Sequence, residues 1–243
     1  MNKIGPYFDG SMVDFETSRV PEYIVIPDVL TEKECAGLIR YGTKHGKYTQ
    51  GKVGSEIGGS LDKSIRDTHL YWFHHDKLAN KVADKIYDVN QKVFQNRLTH
   101  CEFFQLGVYN PDGHYGWHRD DIELLGKSSA RKLSFTILLN DTCQYKGGDF
   151  QVHSRFDAVT GSPIVKTVSK LKHTGSMVVF PSRTYHRVKP VIEGQRISLV
   201  GWLFLYVSCN TIPRFLFIVK LISDPSTNPP KRCGDRISYC GCV

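Results

Sequence analysis

Residues 22–30, EYIVIPDVL, alternate in the manner of a strand and stop at the turn-prone pair Pro27-Asp28. Thr31 followed by Glu34 is a capping-box pattern. The stretch it opens, TEKECAGLIRYGTKHG, keeps apolar residues near helical spacing and ends at Gly46, which predicts a helix. Residues 47–64 are rich in Gly, Ser and Lys and read as a loop. RDTHLYWF (66–73) has strand character. KLANKVADKIYDVNQKVF (77–94) sets Leu78, Val82, Ile86, Val89 and Val93 at helical intervals. From Leu98 to Leu205 the pattern changes to short β-rich runs: CEFFQLGVY, KLSFTILL, DFQVH, SMVVF and RISLVGWLFL. The breaks between them (NPDG, NDTCQYKGG, TGSP, HTG, EGQ) carry Gly, Asn, Asp or Pro. Strands at this spacing predict an antiparallel sandwich or barrel, and no internal repeat is present. The expected fold is mainly β, a jelly roll with N-terminal helices packed outside it.

The same reading divides the chain into supporting strands and helices (1–97), a β core of the same domain (98–206) and an atypical extension (207–243). A length of 243 residues buries one full core, and 40% hydrophobic with 23% charged residues is ordinary for a globular protein. The apolar stretch after residue 200 is broken by Ser208, Cys209, Asn210 and Lys220, so no membrane span is expected. The first residues, MNKIGPYFDGSMVDFE, hold no apolar signal region, which makes a reducing cytoplasm the expected compartment. Cys35, Cys101 and Cys143 are isolated and read as small buried hydrophobes. The formal charge of +8 permits an acidic partner such as nucleic acid, but with no stripe of Arg interleaved with aromatics it predicts one only weakly. Oligomeric state is not legible.

Three features of the β region carry chemistry. In YNPDGHYGWHRDD, His118 and Asp120 stand two apart, so in an extended segment they face the same side while Arg119 turns away. His186 follows a Pro-containing turn in VVFPSRTYHRVKPV, and Arg196 lies ten residues further on. Two imidazoles and one carboxylate on one face of an octahedral ion leave three adjacent positions open. That suits non-haem Fe(II) binding a bidentate co-substrate together with O2. A guanidinium fork matches the far carboxylate of a dicarboxylic acid. Ser198, Val200 and Trp202 share the parity of Arg196, so one strand face carries a carboxylate clamp followed by an aromatic wall.

Together these residues resemble the prolyl-4-hydroxylase-like branch of Fe(II)/2-oxoglutarate dioxygenases, and look closest to its PKHD-type hydroxylases. The resemblance covers 98–206. It includes RKLSFTILLND with YKGGDF, and GSMVVFPSRTYHRVKPVIEGQRISLVGW with its His-to-Arg spacing of ten and the Trp six beyond. It implies a double-stranded β-helix. It also implies Fe(II) on His118, Asp120 and His186, and 2-oxoglutarate held at its tail by Arg196, Tyr109 and Ser134. Trp202 is implied as a substrate-pocket wall. O2 and 2-oxoglutarate are the implied co-substrates, with L-ascorbate a candidate auxiliary. A peptidyl proline or other protein side chain is the first-choice substrate, with a small metabolite or nucleobase as alternatives. A cupin-like metal-binding domain or a zinc hydrolase would use the same His and Asp residues but leaves Arg196 unexplained. The Gly-rich segment 47–64 and the basic stretch 153–173, with Lys166, Lys170, Lys172 and His173, are the expected rim loops. The extension after Trp202, with Cys209, Cys233, Cys240 and Cys242, matches no strong zinc spacing and nothing in the family.

Overall fold

The computed structural model describes residues 20–53, 59–121 and 131–204. The extension 207–243, with its four cysteines, lies outside the described residues, as do residues 54–58 of the Gly-rich segment. The first half of the described chain supplies β1 (Ile24–Ile26), α1 (Glu32–His45), β2 (Lys47–Gln50), β3 (Arg66–Asp67), β4 (His69–Phe73), α2 (Asp76–Val89), β5 (His100–Cys101) and β6 (Phe104–Tyr109). The second half supplies β7 (His114–His118), β8 (Arg131–Leu138), β9 (Tyr145–Gly147), β10 (Phe150–Phe156), β11 (Pro163–Thr167), β12 (Met177–Pro181), β13 (His186–Val188), β14 (Val191–Gly194) and β15 (Arg196–Phe204).

These strands build an eight-stranded sheet in the order β1-β12-β8-β15-β6-β4-β2, with β5 also on β15. A five-stranded sheet, β11-β10-β13-β7-β3, packs over it, and every pairing is antiparallel. The result is the expected jelly roll with two helices outside. Among the described residues no helix is long and apolar enough to cross a membrane.

Side-chain alternation gives the large sheet two different faces. Phe104, Leu106 and Val108 of β6, Leu133, Phe135 and Ile137 of β8, and Ile197, Leu199 and Leu203 of β15 join one apolar core with Leu38 of α1 and Leu78, Val82 and Ile86 of α2. The intervening positions turn toward the smaller sheet. Leu138, Val178 and Phe180 form a second core there with Phe150, Val152 and Val188. The centre of that face is polar instead: Gln105, Ser134, Thr136, Arg196 and Ser198 are all buried.

The capping box at α1 forms as read, with Glu34 N–H donating to Thr31 Oγ1 at 3.3 Å and Thr31 N–H to Glu34 Oε2 at 2.8 Å. The helix read over 77–94 ends as an α-helix at Val89 and continues as one π-helical turn, Asn90–Phe94. Three expectations need correction. Residues 47–50 are an edge strand on β4 rather than loop; Lys47 and Tyr48 are exposed, so burial imposes no apolar alternation on it. The stretch 153–173 is largely a hairpin of β10 and β11 turned at Asp157 and Gly161, and β11 is almost wholly solvent-facing, which hides it from a hydrophobic pattern. Cys143 is exposed, because it sits in a 3-10 turn capped by Asp141 rather than in a strand.

Candidate metal centre

β7 and β13 run side by side, and register pairs His118 directly with His186. A bulge lies between that pair and the next, Tyr115 with Val188. The irregularity brings both Tyr115 and His118 to the cavity, their rings stacked with centroids 3.5 Å apart. Asp120 follows β7, where its N–H donates to Ser182 carbonyl at 2.9 Å, and its carboxylate comes between the two imidazoles. His118 Nε2 lies 3.7 Å from Asp120 Oδ1 and His186 Nε2 lies 3.5 Å from Asp120 Oδ2. The three residues place their ligand atoms within 4.8 Å of one another.

Each imidazole is fixed from behind. His118 Nδ1 is 2.9 Å from Gly116 carbonyl and His186 Nδ1 is 2.9 Å from Thr184 carbonyl. A carbonyl only accepts, so Nδ1 carries the hydrogen in both rings and Nε2 presents a bare lone pair toward Asp120. Burial, and then the neighbouring His186, hold His118 well below the ordinary imidazole range, so it stays neutral and able to ligate. The Asp120 carboxyl, although burial pushes it up, is held below its ordinary value by the groups around it, Arg131 and the Ser134 hydroxyl among them, and stays ionised. Asp120 Oδ2 is buried with no hydrogen-bond partner. Two converging lone pairs and an orphaned anionic oxygen are the donor set of a divalent cation, and two nitrogens with one carboxylate fit Fe(II).

The second group forms around Arg196. It opens β15 opposite Tyr109 at the end of β6, with its guanidinium carbon 5.4 Å from the Tyr109 ring centroid. Its Nη1 donates to Ser198 Oγ at 3.0 Å, and the Tyr145 phenol hydrogen-bonds it as well. Gly148, at φ 63°, lies so close that a Cβ there would stand 2.8 Å from Arg196 Cδ. Glycine is therefore required by both backbone and space. A cavity of about 200 Å³ joins the two groups, lined by His118, Asp120, His186, Tyr109, Ser198 and Trp202 among others. Arg196 flanks it behind Ser198 and lines a second cavity on its other side with Tyr145 and Gly148.

Ser134 is not with Arg196. Register sets Ser198 against Leu138 and Trp202 against Ser134, six residues along β15 from the guanidinium and roughly 20 Å of strand. Its hydroxyl lies 3.0 Å from Ser182 Oγ and hydrogen-bonds Asp120. Strand position therefore corrects its expected place at the co-substrate tail: it supports the carboxylate of the metal group. Trp202 lines the cavity, stacked on Trp72 at 5.9 Å and covered by Arg131 at 4.1 Å. Arg131 is held by a bidentate pair to Glu102 (2.8 and 2.7 Å). Tyr145, Tyr115, Trp72 and Arg66 were not singled out from sequence. Only Tyr145 carried a signal, standing at the head of the Gly-Gly turn that packs on Arg196.

Residues 104–204 match the family model described as the 2OG-Fe(II) oxygenase superfamily. The chain is 32% identical over 218 residues to a PKHD-type hydroxylase of Synechococcus sp. (strain CC9902), covering 84% of each. It is 28% identical over 205 residues to another of Prochlorococcus marinus (strain MIT 9211), covering 80% of this chain and 83% of that protein. Among solved structures it shares its fold with a Pseudomonas putida prolyl-4-hydroxylase (TM-score 0.57, 19% identity, 76% of this chain and 94% of that one). It likewise resembles a Trichoplax adhaerens prolyl hydroxylase in complex with a hypoxia inducible factor peptide fragment (TM-score 0.60, 17% identity, 76% and 84%).

Proposed function

This chain belongs to the 2OG-Fe(II) oxygenase superfamily, close to its PKHD-type hydroxylases, and we propose that His118, Asp120 and His186 hold the iron with which it hydroxylates a peptidyl proline or other protein side chain. The enzyme is an oxidoreductase that takes Fe(2+), 2-oxoglutarate and O2. The metal and co-substrate supply the oxidising power, 2-oxoglutarate and O2 going to succinate and CO2 as one substrate C–H becomes C–OH. The observation that carries the assignment is the convergence of two Nε2 lone pairs on one buried carboxylate, His118 beside Asp120 Oδ1 and His186 beside Oδ2, the latter oxygen having no hydrogen-bond partner.

The protein's own residues position and exclude. Arg196 offers its fork to the distal carboxylate of 2-oxoglutarate, and Tyr109, Ser198 and Tyr145 hold that fork in one orientation. Gly116 and Thr184 carbonyls keep both imidazoles in the ligating tautomer. Phe150, Phe180, Val188 and Trp202 line the remainder of the cavity and keep water from the reacting atoms. The peptide bound to the Trichoplax adhaerens protein supports a peptide here.

The test is a coupled assay with Fe(II), 2-oxoglutarate and proline-containing peptides. Succinate should form in step with a mass gain of one oxygen on the peptide. Succinate release stimulated only by small metabolites would contradict the peptide reading while leaving the iron site intact.

A further inference from the structure

The cavity lining holds a charge apart from the metal group and the Arg196 clamp. Arg66 on β3 lines it and is only 8% exposed. Its Nη2 donates to Gln105 Oε1 at 3.0 Å and its Nη1 to the Lys52 carbonyl at 3.4 Å, both neutral acceptors, while its buried Nε has no partner. No carboxylate of the described residues pairs with it. The other two cavity arginines differ: Arg119 holds Asp121 and Arg131 holds Glu102. The guanidinium lies 4.1 Å over the Tyr115 ring, and that ring stacks on His118, so this cation is one aromatic layer from the metal group. The position is also closely fitted, since a Cβ at Gly51 would come within 2.8 Å of Arg66 Nε.

Among the described residues Arg66 is thus a buried cation without a counter-charge, which is unfavourable and calls for an anion. The co-substrate does not provide it. With Fe(II), Asp120, the 2-oxoglutarate dianion and Arg196 together the neighbouring centre is formally neutral, and Arg66 is left over. Trp202 Nε1 is a second buried donor with no partner on the same lining. Lys52, also on the lining, adds to the positive charge. Resting on the iron-site reading above, we infer that the substrate carries a carboxylate close to the carbon that is hydroxylated, and that Arg66 binds it. For a peptide substrate, this means an acidic residue beside the target residue.

The probes are acetyl-Glu-Pro-Glu-amide, its neutral counterpart acetyl-Gln-Pro-Gln-amide, and L-proline. Each is titrated calorimetrically into the full chain loaded anaerobically with Fe(II) and 2-oxoglutarate. The wild type should bind the acidic peptide about tenfold or more tightly than the neutral one. Arg66→Gln should erase that preference, and Arg66→Lys, which keeps the charge, should retain part of it and guard against a mere folding defect. L-Proline binding in place of the peptide, with the same dependence on Arg66, would support the anion site and assign its carboxylate to a free amino acid. The absorption band of the Fe(II)–2-oxoglutarate chelate is recorded on the same samples. Its absence in the wild type would defeat the iron-site reading and this inference with it. A normal band with equal affinity for both peptides, or with no binding of any probe, would overturn the anion site alone. Loss of the band in Arg66→Gln would assign Arg66 to the co-substrate and overturn it too.

Discussion

The two faces of the large sheet come from the same strands and do opposite work. On β15, Ile197, Leu199 and Leu203 face the helices and belong to the larger apolar core. Arg196, Ser198, Val200 and Trp202 alternate with them, and the last three line the cavity that Arg196 flanks. β8 repeats this, with Leu133, Phe135 and Ile137 on the core side and Ser134 and Thr136 on the other. A half-buried strand ordinarily turns its polar parity to water. Here both parities are buried, so the polar one is enclosed against the smaller sheet. Enclosed polar groups need partners. Within the chain several find them, as Ser198 does with Arg196 and Ser134 with Ser182.

If the faces are separable, damage to one should spare the other. The largest effect expected is from His186→Ala on the cavity side: turnover and stoichiometric iron should both be lost, while thermal unfolding of the metal-free protein stays near that of the wild type. Iron content and circular dichroism on one preparation check this. On the core side, Phe104 is fully buried against Phe73 and Phe135. Phe104→Ala should cost about 3–5 kcal/mol of stability in urea unfolding, with the 2-oxoglutarate affinity of the folded fraction unchanged. Ser134→Ala returns to the cavity side with a smaller loss, about 10–100-fold in iron affinity by competition with a chelator. Were it to raise the KM for 2-oxoglutarate instead, with iron affinity intact, its place beside Asp120 would be functionally irrelevant.

The smallest effect lies beyond both faces, at the start of α1. Lys81 and the Thr31 cap draw Glu34 down to about 2. A depressed acid contributes stability above its unfolded value of 4.5 and loses it as pH falls through about 2. The pair is exposed, so Glu34→Gln should cost under about 1 kcal/mol at pH 7, and the difference from wild type should shrink as pH falls from about 4.5 and vanish only below about 2.

Much of this division was readable in the sequence because burial writes parity into it. RISLVGWLFL and KLSFTILL give both faces at once, and the spacing of His118, Asp120, His186 and Arg196 followed from two strands and a turn. What was not readable depends on register or on solvent-facing strands. Ser134 looked suited to the co-substrate tail until pairing placed it opposite Trp202. β2 and β11 carry exposed residues with no hydrophobic alternation to mark them. Arg66 sits in a two-residue strand, and nothing local announces that its charge is buried. Tyr115 reaches the metal group only through a bulge in β7, an irregularity that residue periodicity does not encode.

We propose that one cavity binds iron through His118, Asp120 and His186 and that Arg196, flanking it, meets 2-oxoglutarate. Anaerobic titration of Fe(II) and then 2-oxoglutarate, followed by the absorption band of the chelate, tests it most directly. One iron per chain is expected, with a band that saturates with 2-oxoglutarate. The band should be absent in His186→Ala and shifted to about tenfold or higher half-saturation in Arg196→Gln. A band of full intensity in His186→Ala, or unchanged half-saturation in Arg196→Gln, would contradict it.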